Sequence, residues 1–131
     1  MVSAISPDTA YGSITNQATE SEIWLTEAGD TESIVRNYFQ DIPVMVQIAR
    51  CESTFRHTLT DGSVLSGRVD PADTGVMQIN KRYHEDTAVS LGLNLDDLYD
   101  NMAYARHLYE KQGTQPWSAS NPCWGSTLAM I

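Results

Sequence analysis

Two acidic residues, Glu52 and Asp73, stand where a carboxyl group could donate a proton or stabilise a cation. Glu52 ends a run with the i, i+3, i+4, i+7 spacing of one helix face, whose other members are Met45, Ile48 and Ala49. A carboxylate at that position is disfavoured by desolvation and by the negative end of the helix dipole, and both effects raise its pKa. A carboxyl group that stays protonated near neutral pH can act as a general acid.

Simpler interpretations of both carboxyl groups remain open. Glu52 could be a satisfied core residue, or the helix could end just before it and leave the side chain in solvent. Asp73 follows a loop containing Pro71 and precedes Gly75, so we expect a polar setting in which it stays ionised. Its alternative role is to cap the turn at Gly75.

The elements that must position these residues are mainly helical, with one small hairpin. Asp61-Gly62 predicts a type I′ turn in a hairpin over Thr58–Leu65. The run Gly75–Asn80 is too short to assign. The segment that contains Pro116 and Pro122 is predicted to be rich in turns. Apolar spacing and end signals predict helices over residues 31–39, Pro43–Phe55 capped by Asp41, His84–Leu91 before Gly92, and Asp97–Gln112 before Gly113.

Length and charge indicate one compact domain with an acidic leader. The chain has 131 residues, 41% of them hydrophobic, and a net charge of −9. Residues 1–35 hold six acids and no base, whereas the remainder holds eleven acids and eight bases. We therefore expect a partly disordered Ser/Thr-rich leader at residues 1–29, with a short helix near residues 21–28, and a compact domain at residues 30–131. No clustered bases indicate nucleic-acid binding, no apolar run predicts a membrane span, and no signal peptide is visible.

Cys51 and Cys123 are the only cysteines. They could be two buried thiols, or a disulfide that closes a loop of 72 residues (123 − 51) and ties the C-terminal segment to the residue before Glu52. We predict the disulfide, which favours an oxidising, extracytoplasmic setting. No spacing of His, Cys, Asp or Glu predicts a metal site, and no cofactor is expected.

The ordered motifs resemble those of the lysozyme superfamily. Glu52-Ser53 and Gly75-Val76-Met77-Gln78 are similar to paired motifs of lytic transglycosylases and goose-type lysozymes. The run Asp73-Thr74-Gly75-Val76-Met77-Gln78-Ile79-Asn80 resembles that of chicken-type lysozymes, whose second catalytic carboxylate matches Asp73. The Ala-Tyr-Asn motif of lytic transglycosylases is missing, and the run from Trp117 to Trp124 stands in its place. Tyr83, Tyr104 and Tyr109 are therefore unranked candidates for the tyrosine near the acid.

The resemblance implies a lysozyme-like α+β fold with a cleft between hairpin and helices, and it makes residues 30–131 the catalytic domain. It implies a monomeric enzyme that cleaves the β-1,4 bond between N-acetylmuramic acid and N-acetylglucosamine, with Glu52 as acid and Asp73 as second carboxylate. The substrate would be peptidoglycan or a chitooligosaccharide. Lytic transglycosylation and a non-catalytic glycan-binding module are the alternatives. Residue types and the resemblance predict substrate contacts for Ser53, Gly75, Met77, Gln78, Asn80, Tyr83 and Trp117.

Overall fold

The computed structural model describes the backbone of residues 30–129 and the side chains of residues 30–126. The predicted leader at residues 1–29 and its short helix near residues 21–28 lie outside the described residues. Within residues 30–129, no helix is both long and apolar enough to cross a membrane.

Helices and one two-stranded antiparallel sheet make up the regular structure, so the predicted mainly helical α+β class is confirmed. The two strands of the sheet pair in the register Asp73 to Asn80 and Thr74 to Ile79. The elements are α1 at 30–38, α2 at Pro43–Ser53, β1 at Asp73–Thr74, β2 at Ile79–Asn80, α3 at Lys81–Ser90, α4 at Leu98–Gln112, a 3-10 helix at Gln115–Ser120 and α5 at Asn121–Ala129.

The apolar face predicted for α2 is buried in the core. Met45, Ile48 and Ala49 are fully buried, and α2 packs against α5 and the 3-10 helix. Trp117 and Trp124 from those two helices are also buried. Burying an aromatic or large aliphatic side chain contributes roughly 1.5–3 kcal/mol. The core therefore holds the end of α2 against the C-terminal helices.

The two ends of α2 differ from their predictions. Asp41 does not cap the helix: its carboxylate accepts hydrogen bonds of 2.9 and 3.1 Å from Arg106, and the cap position is Ile42 without a side-chain bond. The helix stops at Ser53 rather than at Phe55, because Thr54 and Phe55 have left-handed backbone angles, with φ of 55° and 59°. This left-handed turn brings Phe55 into the core.

The ends of α4 agree with the sequence. Asp97 accepts a hydrogen bond from the Asp100 backbone N–H at 3.0 Å, and Gly113 ends the helix at φ 62°. The preceding helix, α3, begins at Lys81, three residues before the predicted start at His84. It follows β2 directly, so the two elements share a boundary that apolar spacing does not mark.

The predicted hairpin over Thr58–Leu65 is reduced to a single bridge between Thr58 and Val64. The predicted type I′ turn is wrong, because Gly62 has φ 89° but Asp61 lacks the positive φ that this turn requires. Asp61 instead accepts hydrogen bonds from the Ser63 backbone and hydroxyl. The sheet lies later in the chain. Its strand β2 falls in the run Gly75–Asn80, which the sequence leaves unassigned, and β1 at Asp73–Thr74 falls just before that run, where no strand is predicted. Strands of two residues are too short to show a period.

The C-terminal segment is helical from residue 115 to residue 129, so the prediction of a turn-rich end is wrong. Pro116 lies at the start of the 3-10 helix and Pro122 at the start of α5. A proline is tolerated there because the first N–H groups of a helix have no partner within it. The predicted disulfide between Cys51 and Cys123 is confirmed, and it joins α2 to α5.

Candidate active site

Glu52 and Asp73 line one cleft of about 440 Å³. The end of α2 contributes Glu52, β1 contributes Asp73, and the 3-10 helix contributes Ala119 and Ser120. The loop over residues 65–70 supplies the remaining wall, together with Arg56 and Gln78. Two carboxyl groups 21 residues apart (73 − 52) therefore face the same space.

Glu52 lies within α2 and is partly buried, so the interpretation that leaves it in solvent is excluded. Burial raises the pKa of the Glu52 carboxyl, and the negative charge of Asp73 acts in the same direction. A hydrogen bond of 2.6 Å from the Ser120 hydroxyl to Oε2 opposes this shift. The net effect favours the protonated acid at a higher pH than for a free glutamate.

Ser120 is the partner that sequence reasoning missed. Its hydroxyl lies at hydrogen-bond distance from Glu52 Oε2, from the Trp117 carbonyl oxygen at 3.1 Å and from Trp124 Nε1 at 3.0 Å. The predicted disulfide is a sequence signal for this contact, because it places Cys123 beside Cys51. A helix through Cys123 would then bring the residue three positions earlier close to Glu52.

Asp73 is held by Asn80 across the sheet. The Asn80 Nδ2 group donates to Asp73 Oδ1 and to Asp70 Oδ2, both at 2.9 Å. Arg82 forms a two-pronged ion pair with Asp70 at 2.9 and 3.1 Å. The hydrogen bonds from Arg82, then those from the Ala72 backbone and Asn80, hold the pKa of Asp70 well below its usual range. Asp70 therefore stays ionised and fixes the amide that orients Asp73.

Buried side chains brace the turn between β1 and β2. The Val76 N–H donates to His57 Nδ1 at 3.0 Å, and the Met77 N–H donates to Asn101 Oδ1 at 3.0 Å. Trp117 Nε1 donates to the Met77 carbonyl oxygen at 2.9 Å. Because each partner comes from outside the turn, the residues between Asp73 and Asn80 have little freedom to shift.

His57 acts in this brace as a neutral ring. Its Nδ1 accepts from Val76, so its Nε2 carries the hydrogen and donates to the Asp96 carbonyl oxygen at 2.7 Å. Burial lowers the pKa of His57, which is the direction that keeps the accepting nitrogen free of a proton. The neutral His57 ring therefore contributes to the free energy of unfolding at pH values above the ordinary histidine pKa. This contribution is lost as the pH falls through the lowered pKa of His57.

The predicted substrate contacts divide into two groups. Ser53 donates its hydroxyl to the Ala49 carbonyl oxygen at 3.0 Å, and Met77 and Trp117 are buried. The Met77 side chain is fully enclosed in the core and is not available to a ligand. Gln78, Asn80 and Tyr83 line a second cleft of about 290 Å³, and Tyr83 is 73% exposed. Trp117, although buried, also lines this second cleft. Asp73 and Gln78 line both clefts, so the two spaces adjoin.

The tyrosines considered as partners of the acid lie away from it. Tyr104 is buried, and its hydroxyl is 3.0 Å from His84 Nδ1. Tyr83 lines the second cleft, whereas Tyr104 and Tyr109 line neither cleft. The hydroxyl beside Glu52 is therefore that of Ser120.

Gly75 lies where a side chain would collide with the brace. A Cβ atom there would be 2.6 Å from Asn101 Nδ2 and 2.6 Å from His57 Cε1, and Gly75 has a φ of +77°.

We expect Gly75→Ala to lower the free energy of unfolding by on the order of 3 kcal/mol, because of left-handed backbone strain and displaced hydrogen bonds. Gly92 has the same φ of +77° and open space around it, so Gly92→Ala isolates the strain. If urea unfolding gives equal decreases in the free energy of unfolding for Gly75→Ala and Gly92→Ala, the close contacts of Gly75 with His57 and Asn101 do not contribute to stability.

Among the side chains of residues 30–126, no group of three or more His, Cys, Asp or Glu residues is placed to hold a metal ion. Comparison of the chain with family models, with curated proteins and with solved structures found no match.

Proposed function

We propose that this chain is a glycosidase with a lysozyme-like fold that cleaves the β-1,4 bond between N-acetylmuramic acid and N-acetylglucosamine in peptidoglycan. The observation that supports it best is the partly buried Glu52 carboxyl, whose pKa is raised, in a cleft that Asp73 also lines. A neutral acid and a second carboxylate across a bound sugar are the two groups that glycoside hydrolysis requires.

The proposed reaction uses the two carboxyl groups in different protonation states. Glu52 donates its proton to the glycosidic oxygen as the bond to the anomeric carbon breaks. Asp73, ionised and oriented by Asn80, stabilises the positive charge that develops on the sugar or forms a bond to its anomeric carbon. Water then attacks the anomeric carbon, which releases the Asp73 carboxylate if it had formed a bond there. The water gives one proton back to Glu52, and its oxygen becomes the hydroxyl of the new reducing end.

Two arginines in the cleft support an anionic substrate. Arg56 and Arg68 line it, and within the described part of the chain neither forms an ion pair with a carboxylate. Arg82 and Lys81, by contrast, are paired with Asp70 and Asp96. The lactyl carboxylate of N-acetylmuramic acid would offset the unpaired arginines, whereas a neutral chitooligosaccharide would not. We therefore place peptidoglycan ahead of chitooligosaccharides.

The ordered motifs from Glu52-Ser53 to Asn80 further support the proposal through their resemblance to the lysozyme superfamily. The Cys51–Cys123 disulfide is compatible with the oxidising, extracytoplasmic location in which peptidoglycan is found. A single domain with its own cleft is consistent with action as a monomer.

Mass spectrometry of purified peptidoglycan after incubation with the protein tests this function. We expect soluble muropeptides with reducing ends, and a loss of release on the order of 10²-fold for Asp73→Asn, because the charge that faces the cationic sugar is removed. Products with 1,6-anhydro ends that persist in Asp73→Asn would show lytic transglycosylation instead. Binding to peptidoglycan without release of fragments would indicate a glycan-binding module and overturn the enzymatic proposal.

A further inference from the structure

The Ser120 hydroxyl lies at a branch point between three groups. Its oxygen is 2.6 Å from Glu52 Oε2, 3.1 Å from the Trp117 carbonyl oxygen and 3.0 Å from Trp124 Nε1. Trp124 Nε1 is only a donor, so Ser120 accepts its hydrogen. The single hydroxyl hydrogen of Ser120 can therefore point either to Glu52 or to the Trp117 carbonyl oxygen.

The two directions correspond to the two protonation states of Glu52. When Glu52 is a carboxylate, Ser120 donates to it. When Oε2 carries a proton, the carboxyl O–H donates to Ser120, whose own hydrogen turns to the Trp117 carbonyl oxygen. A serine oxygen accepts two hydrogen bonds and donates one, so every group is satisfied in both states. The proton stays with Glu52, and Ser120 only rotates its hydroxyl.

We propose that Ser120 is a positioning residue that holds the Glu52 carboxyl in one place through both protonation states by turning its hydroxyl hydrogen between Glu52 and the Trp117 carbonyl oxygen. This inference rests on the proposed function, in which Glu52 gives up a proton and later recovers it. A general acid that keeps its place after losing the proton does not have to be repositioned for the next step.

The rest of the network fixes Ser120 itself. Trp124 is buried, and its Nε1 also lies 3.2 Å from the Trp117 carbonyl oxygen. Trp117 is buried too, and its Nε1 is bonded to the Met77 carbonyl oxygen. Hydrogen bonds therefore connect Ser120 through Trp117 to the turn between β1 and β2. Glu52 and that turn are held by the same network of contacts.

Among residues 30–126, four other charged side chains line the cleft with Glu52. Arg56 lies four residues after it, Asp73 lies on β1, and Arg68 and Asp70 lie on the loop over residues 65–70. The 3-10 helix and α5 contain no titratable side chain apart from the disulfide-bonded Cys123. A substitution at Ser120 therefore changes a hydrogen bond to Glu52 without changing any charge near it.

The test is a direct titration of the Glu52 carboxyl by carbon NMR in Ser120→Ala, Ser120→Thr and Ser118→Ala. We expect the pKa to rise in Ser120→Ala, because the bond that favours the carboxylate is lost, and to return toward the wild-type value in Ser120→Thr. Ser118 lies exposed on the same 3-10 helix and is the matched control, for which no change is expected. An unchanged pKa in Ser120→Ala would overturn the inference.

Kinetics give a second readout if the wild-type protein cleaves peptidoglycan. We expect kcat of Ser120→Ala to fall roughly tenfold with little change in KM, because the acid is less well oriented. The alkaline limb of the pH profile should move to higher pH, because the acid must be protonated to act. A lower melting temperature with an unmoved profile would contradict the positioning role. Because the titration needs no activity, an inactive wild type would count against the proposed function alone.

Discussion

Replacing Glu52 with glutamine is expected to reduce peptidoglycan cleavage by about 10²- to 10⁴-fold, the range typical for loss of a general acid. Glutamine keeps the size of the side chain and can accept the hydrogen bond from Ser120, but its amide cannot donate an acidic proton. The cleft and its second carboxylate, Asp73, remain. A loss of this size in an intact fold would therefore report the chemistry of the acid.

The same substitution should raise the free energy of unfolding at neutral pH. The pKa of Glu52 is raised in the folded protein, so its contribution to stability is fully present below the pKa of the unfolded chain and is lost as the pH rises through the folded value. Glutamine does not titrate. The variant should thus melt above the wild type at pH 7, and the difference should disappear at acidic pH.

Activity on peptidoglycan and melting curves between pH 3 and 8 check both effects. Glu110, which is exposed on α4 and lines neither cleft, supplies the control Glu110→Gln, for which turnover should not change. Undiminished cleavage by Glu52→Gln would falsify the proposed mechanism. A variant that melts below the wild type at every pH would show that Glu52 is a satisfied structural residue.

Removing the disulfide should have the largest effect on stability. Because the bridge closes a loop of 72 residues, the chain-entropy model gives about 4 kcal/mol for its contribution. A change of 1 kcal/mol shifts the melting temperature of a domain of this size by roughly 4–8 °C. We therefore expect the double variant Cys51→Ser/Cys123→Ser to have a melting temperature more than about 15 °C below that of the wild type.

The disulfide should also matter for activity at temperatures where the fold persists. It joins α5 to α2 beside Glu52, and Ser120 immediately precedes α5. Without the disulfide, α5 would be held less firmly against α2, and the hydrogen bond between Ser120 and Glu52 would lengthen. The rate of peptidoglycan cleavage should therefore fall in the double variant. Wild-type protein treated with a reducing agent is the control, since it loses the bridge without a change in sequence. Equal melting temperatures for oxidised and reduced wild type would contradict the prediction.

Local patterns were enough to predict several elements of the fold. Helical spacing predicted the buried face of α2, and Asp97 and Gly113 marked the ends of α4 because a cap and a left-handed glycine act within a few residues. The C-terminal helices were missed because Pro116 and Pro122 are compatible both with turns and with the first turn of a helix. The strands were missed because two-residue strands show no alternation.

The sequence also predicted part of the candidate site. The order of residues along the chain was sufficient to identify Glu52 on an apolar face, Asp73 before a glycine turn and a bridge between the two cysteines. Only the tertiary structure decided that Ser120 contacts the acid, that Asn80 orients Asp73 and that Met77 is buried. The physical reason is that periodicity records which face of one element is buried, whereas hydrogen-bond partners depend on how elements distant in the chain pack together. Ser120 and Glu52 are 68 residues apart, and only the packing of α5 and the 3-10 helix on α2 brings them together.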